Sequence, residues 1–270
     1  MSRINLLDHG YLELVDCWGS DEAVICAARM STGKGFLGWE PGPCPRCGGS
    51  GHQSQSVPVC PACEGKGKIA GDMKLLRYLW KHGHATPFEM AGLTVEAQAP
   101  LFVFREWQRH RTQAISEESH EWEFSFNELS ARYTPMPDLN YVPTVERLMA
   151  AGGKNKQAGT VPGAASLTEG EASFFRDRLR QHYFHAQVLY ESALKSGVPK
   201  ELARVHLPVG RYSRMRASAN LRNWLGFLSL RLDGSAQYEI REYAEALGGL
   251  IAGKFPRTWQ IYVEGKSQWI

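Results

Sequence analysis

The chemistry-bearing residues of this chain fall into two groups: four paired cysteines, and a run of arginines interleaved with amides, hydroxyls and histidines. Cys44-Pro-Arg-Cys47 and Cys60-Pro-Ala-Cys63 are two C-x-x-C pairs separated by twelve residues, and CPRCGGSG and CPACEGKG share the pattern C-x-x-C-x-G-x-G. Two such pairs offer four thiolates for a tetrahedral zinc ion, and the glycines allow tight turns that aim backbone N–H groups at sulfur. Cys44, Cys47, Cys60 and Cys63 would close the coordination shell, which makes the expected zinc structural rather than catalytic. The competing reading is a metal-free loop with surface thiols. Cys17 and Cys26 stand apart and read as small hydrophobes of an N-terminal helix.

The second group lies between His82 and Tyr133: HGHATPFE, then REWQRHR, then SFNELSARY. Arginines 105, 109, 111 and 132 are too many for a buried core unless anions neutralise them, and their guanidinium forks suit phosphates or the electron-rich edge of a planar ligand. A solvated basic face is the alternative, and the Asn, Ser, Thr and Tyr around them favour the ligand. A helix over 101–110 would place Glu106 one turn before Arg109 and His110, on a shared face. Further on, Asn220, Asn223, Phe227 and Arg231 share one face of a helix at 100° per residue, with Leu221, Trp224, Leu225 and Leu228 on the rest.

These residues need elements to hold them. Residues 20–30 read as a helix capped by Ser20, and 73–82 as another ended by Gly83. Alternation over 92–99 predicts a strand, and Pro100 suits the start of the helix that follows. Residues 152–170 are loop by composition, 171–196 a long amphipathic helix, and 217–232 and 235–251 two more. The expected class is α+β: one catalytic domain over 1–270 with a zinc-knuckle insertion at 40–71. Across 270 residues, 31 Lys and Arg against 28 Asp and Glu leave a net charge of +3, so no nucleic-acid partner is called for. No apolar run approaches the about 18 residues of a membrane span, and the acids of MSRINLLDHGYLELVDC argue against a secretory signal. A cytoplasmic location is expected.

The cysteine repeats resemble half of the zinc-binding region of Hsp40 (DnaJ) chaperones. The remainder, through HGHATPFE, RHR, SFNELSARY and NLRNWLGFLSLRLDGSAQYEIREYA, resembles flavin-dependent thymidylate synthase, the ThyX family, in the right order over most of the chain. That resemblance implies a helix-plus-sheet homotetramer with shared active sites. Its activity would be to make dTMP from dUMP, taking a one-carbon unit from methylenetetrahydrofolate and reducing equivalents from NADPH through FAD. Carried over by motif, Thr86, Arg109, His110, Arg111, Glu128, Asn220 and Arg222 would lie against FAD, with His84 near the flavin. Ser130, Arg132 and Arg204 would hold the nucleotide, mainly its phosphate, with Glu106 and Arg109 on the nucleotide side. Arg231 would be the catalytic residue, set against the pyrimidine and favouring its ionised form.

Several positions depart from the family. Thr112 to Leu129 is a longer spacer than usual and contains the acidic stretch Gln113 to Glu123. Glu106 replaces a glutamine, Met90 a histidine, and Gly226 a polar residue. A carboxylate only accepts hydrogen bonds, and cytosine carries an exocyclic amine that uracil lacks. The alternative is therefore a family variant acting on dCMP or leaving a hydroxymethyl group. A third reading keeps the fold as a non-catalytic adaptor with the knuckle as its working surface.

Overall fold

The computed structural model describes residues 3–53, 58–112, 124–150 and 166–265. In chain order the elements are β1 (Ile4–Leu6), β2 (Gly10–Trp18), α1 (Asp21–Ala28), β3 (Gly42–Pro43), β4 (Lys68–Ile69), α2 (Asp72–Lys81), β5 (Gly92–Pro100), α3 (Leu101–Gln108) and β6 (Phe124–Glu128). They continue with α4 (Val145–Met149), α5 (Glu169–Lys195), α6 (Lys200–Ala203), β7 (Tyr212–Asn220), α7 (Leu221–Arg231), α8 (Tyr238–Lys254) and α9 (Pro256–Glu264). The mixed helix-and-sheet class expected from the sequence is the class observed. The residues group into two compact units, one of Met1–Val15, Thr94–Ser218 and Phe227–Leu247, the other of Asp16–Leu93, Ala219–Gly226 and Gly248–Ile270.

A five-stranded sheet of order β1-β2-β5-β7-β6 organises the first unit, with β1 and β2 antiparallel. The alternation of β5 sends Val95, Ala97 and Ala99 inward, while Glu96 on the other face accepts from Tyr11 Oη at 2.9 Å and Arg216 at 2.8 Å. Gly10 must be glycine: a Cβ there would lie 2.1 Å from the Tyr243 hydroxyl, which donates to the Gln98 carbonyl at 2.6 Å. α3 starts at Pro100 and buries Val103, Phe104 and Trp107; the Trp107 ring lies 5.1 Å from Phe227 and 6.2 Å from Tyr243. Thr168 and Glu171 form a capping box that starts α5.

In the second unit Ser20 caps α1 through its hydroxyl, which accepts from the Ala23 N–H at 3.2 Å. Asp21 is buried, and its carboxylate accepts from the Arg257 and Thr258 N–H groups and the Thr258 hydroxyl, so it caps α9 from outside that helix. Burial pushes the Asp21 pKa up against these bonds. Trp224 donates its indole N–H to the Leu93 carbonyl at 2.9 Å.

Two sequence expectations need correction. Residues 217–220 end strand β7 rather than begin a helix, because Met215, Ala217 and Ala219 alternate inward there. Cys17 belongs to β2 and not to a helix, and it is half-buried. The loop expected at 152–170 lies largely outside the described residues, as does Gln113 to Glu123.

Candidate active site

In the first unit the site is built where the end of α7 meets α3. With Val103, Phe104 and Trp107 turned into the core, Glu106 falls on the flank of α3, about a third exposed. The chain then tightens into a 3-10 turn at Arg109–Thr112. Arg231, the last residue of α7, grips this corner with all three guanidinium nitrogens. It donates from Nη1 to Glu106 Oε2 at 2.9 Å, from Nη2 to the Glu106 carbonyl at 2.8 Å, and from Nε to His110 Nε2 at 2.7 Å. A guanidinium only donates, so His110 Nε2 must accept, and the ring is assigned as the neutral tautomer with its proton on Nδ1. His110 is buried edge-on against Phe227, centroids 4.8 Å apart.

Arg109 points outward, its side chain 76% exposed and its Nε 3.9 Å from Glu106 Oε1. Glu128, at the end of β6, lies 3.5 Å from the Gln108 amide. The structure thus brings Glu106, Arg109 and His110 together, as the helical spacing implied, and adds Arg231 from α7, which no local spacing could place there. The Arg111 side chain lies outside the described residues.

The three residues expected to hold phosphate are gathered by a small apolar cluster. Ala131, between Ser130 and Arg132, shares that cluster with Met136, Tyr190 and Ala203, and Ala203 precedes Arg204. Ser130 Oγ accepts from Arg132 Nε at 3.3 Å, and Lys200 donates to the Tyr133 carbonyl at 3.0 Å. Arg132 and Arg204 are exposed, and among the described residues neither has a carboxylate within ion-pairing distance. A hydroxyl and an unneutralised guanidinium two residues apart, with a second unneutralised guanidinium on Arg204 next to Ala203 of the same cluster, fit a phosphate dianion.

The second unit carries the other expected residues. His84 and Thr86 are exposed at the start of a 3-10 turn, Thr86–Met90. Glu89 in that turn accepts from Arg222 at 2.7 Å, a pairing the sequence reading missed although Glu89 closes the HATPFE motif. Asn220 caps α7, its Oδ1 accepting from the Asn223 N–H at 2.9 Å, so part of its role is structural. Gly226 faces open space and Met90 is half-exposed, so neither departure from the family is forced by packing.

In the same unit the four sulfurs of Cys44, Cys47, Cys60 and Cys63 lie within 4.8 Å of one another, with 3.9 Å between Cys44 and Cys60 and 3.8 Å between Cys47 and Cys63. A tetrahedron with Zn–S bonds of about 2.3 Å has edges of about 3.8 Å, so the cluster has the size of a zinc site. The repeats face each other with matching bonds: Cys44 N–H to the Gly67 carbonyl at 2.9 Å, and Cys60 N–H to the Gly51 carbonyl at 2.8 Å. A Cβ on Gly51 would sit 2.4 Å from the Gly65 carbonyl, and one on Gly67 2.3 Å from that of Gly49, while Gly49 and Gly65 take positive φ of 91° and 79°, which together explain the repeated glycines. Burial opposes ionisation of Cys47, but N–H groups of Gly51 and Gly49 and the neighbouring thiols bring its pKa down to about 6.

The chain matches the Thy1 family, described as thymidylate synthase complementing protein, over residues 13–257. It belongs to this family. Among relatives, a flavin-dependent thymidylate synthase of Thermus thermophilus is 32% identical over 261 residues, 97% of this chain and 78% of the relative. That of Wolbachia pipientis wMel is 33% identical over 260 residues, 96% and 75% of the two chains. Among solved structures, a UMP/dUMP methylase, PolB from Streptomyces cacaoi, bound with 5-Br UMP aligns with a TM-score of 0.70, 29% identity and coverage of 97% and 96%. The same protein with 5-Br dUMP gives 0.70, 30%, and 97% of both chains. As a Thy1 family member the chain is an enzyme of the flavin-dependent methyltransferase class, so the adaptor reading falls away. Among the described residues no helix is long and apolar enough to cross a membrane.

Proposed function

We propose that this Thy1 family member methylates dUMP to dTMP, with methylenetetrahydrofolate as one-carbon donor and NADPH as reductant through FAD. The observation that carries the reading is Arg231, oriented by Glu106 and His110 at the corner that also carries Arg109. FAD, when bound, supplies the redox and one-carbon chemistry. In this reading Thr86, Arg109, His110, Arg111, Glu128, Asn220 and Arg222 hold it, with His84 nearby. The exposed guanidinium of Arg109 and the acceptors and donors of Glu128, Thr86 and Asn220 are a donor set that fits pyrophosphate, ribityl hydroxyls and a heterocycle edge.

Arg132, Arg204 and Ser130 bind the nucleotide phosphate and fix the ring beside Arg231. A guanidinium there favours the pyrimidine that has lost its ring N–H proton, and the negative charge left on the ring raises electron density at C5 without an enzyme nucleophile. Orienting the guanidinium before substrate arrives removes the cost of ordering it during reaction.

A second reading follows from the same ion pair. Glu106 offsets part of the Arg231 charge, and its carboxylate would accept from a cytosine amine, which favours dCMP as substrate. Titrating the flavin spectrum of the anaerobic holoenzyme with dUMP and dCMP in parallel separates the two. Perturbation by dUMP alone supports the first reading, and perturbation by dCMP alone replaces it with the second. A protein that takes up no FAD contradicts both.

We also read residues 40–71 as an insertion in a single catalytic domain, with a structural zinc ion on Cys44, Cys47, Cys60 and Cys63. Among the described residues the insert has little other core: besides the cysteines, its buried cluster holds Leu37, Ala62 and the partly buried Ile69. The homotetramer of the family is supported by α5, where Phe174, Phe184 and Leu189 are 68%, 65% and 56% exposed on one long helix. A cytoplasmic location remains part of this reading.

A further inference from the structure

The knuckle leaves a cleft of about 530 Å³ against the end of α1 and the outer side of α2, a volume suited to part of a small-molecule ligand. Its floor is apolar, with Leu37, Ala62, Ile69 and Leu75, and its rim is basic. Arg29, Lys34, Lys66, Lys68 and Lys74 line it against a single acid, Glu64. Arg29 is taken up by buried Asp72, and Lys34 and Lys66 share Glu64. Lys68 and Lys74 have no carboxylate within ion-pairing distance among the described residues. A tetrathiolate zinc site carries net negative charge, which lysines on the knuckle would partly offset. Lys74 lies on α2, in the opposite wall, and that role does not account for it.

The cleft borders one residue of the proposed flavin set. Tyr78 lines it, and the same ring stacks on His84, centroids 5.6 Å apart with the planes 21° from parallel. His84 is the residue that the proposed reading sets near the flavin, where the folate must come to deliver its carbon.

We infer that this cleft receives the glutamate tail of the folate co-substrate, Lys68 and Lys74 pairing with its carboxylates, so that the enzyme prefers polyglutamylated folate. The inference rests on the folate dependence proposed above. A tail of repeated carboxylates matches the two ammonium groups of Lys68 and Lys74, and exposed contacts made together on one tail, each weak alone, add up and weaken with salt.

The test is calorimetric binding of mono- and pentaglutamyl tetrahydrofolate to the FAD-loaded enzyme without oxygen, at low and high salt. The expected result is binding about tenfold tighter for the pentaglutamyl form at low salt, a preference that shrinks as salt rises. In the Lys68→Glu/Lys74→Glu double variant the ratio of the two dissociation constants falls to near one; Lys68→Gln/Lys74→Gln serves if charge reversal disturbs folding. Equal affinity of the two forms for the unaltered enzyme, or a preference that survives in the variants, overturns the inference and leaves folate dependence standing. Binding of neither form overturns both.

Discussion

Glu106 and Arg231 are joined twice, through the carboxylate at 2.9 Å and through the Glu106 carbonyl at 2.8 Å. The arginine that the proposed mechanism sets against the pyrimidine is therefore held on the backbone as well as by a charge. If its carboxylate swings toward a ligand, the carbonyl and His110 still orient the guanidinium. Replacing Glu106 with glutamine removes the negative charge and keeps an acceptor. Glu106→Gln is expected to raise kcat/KM for dUMP severalfold and to lower any turnover of dCMP. A loss of dUMP turnover of more than tenfold would show that the carboxylate itself is needed.

Arg231→Ala removes the charge beside the ring and is expected to lower kcat/KM for dUMP by about 100- to 1,000-fold, the range for loss of one preorganised donor. Bound FAD, read from its visible absorbance, should be retained. Unchanged turnover would refute the assigned role.

His110 accepts from Arg231 and helps to orient its guanidinium. His110→Leu, which removes the acceptor, is expected to lower kcat/KM for dUMP by about tenfold, and His110→Asn, whose amide oxygen still accepts, to recover part of the loss. Equal losses in the two variants would exclude this hydrogen bond as the source.

The zinc reading predicts one metal ion per chain by elemental analysis, and a cobalt-substituted protein with the charge-transfer and visible bands of a tetrathiolate site. Cys60→Ser should lower the metal content and the melting temperature. A purified protein with no metal and four titratable thiols in this cluster would contradict it.

Away from the site, buried Glu239 accepts from Arg147 at 2.9 Å and Tyr141 at 3.0 Å. Burial raises its pKa, but the Arg147 bond and charge with further hydrogen bonds outweigh it, and the net direction is down. A depressed folded value means that this stabilisation is complete above the unfolded carboxylate range and is lost as pH falls through the folded value. Arg147→Ala should cost about 3 kcal/mol at neutral pH by denaturant unfolding, because it strands a buried carboxylate, and the difference should narrow in acid.

How much of this was legible in the sequence depended on range. Ser20, Gly83 and Pro100 marked helix ends because caps act within a turn, and the one-turn spacing of Glu106, Arg109 and His110 placed them together. The cysteine cluster was legible because its pattern is local and repeated. Ala217–Asn220 misled because Ala, Ser and Asn carry weak preferences, and the neighbours in the sheet decide. The Glu89–Arg222 pair spans 133 positions, and the lysine-lined cleft joins residues from Ala28 to Tyr78, so no window could reveal either.

The most direct test of the account is mass analysis of the nucleotide product after holoenzyme is incubated with methylenetetrahydrofolate, NADPH, and dUMP or dCMP in separate reactions. The account predicts that dUMP alone is converted and gains one methyl group to give dTMP. Conversion of dCMP with dUMP untouched, or a product carrying a hydroxymethyl group, would contradict it.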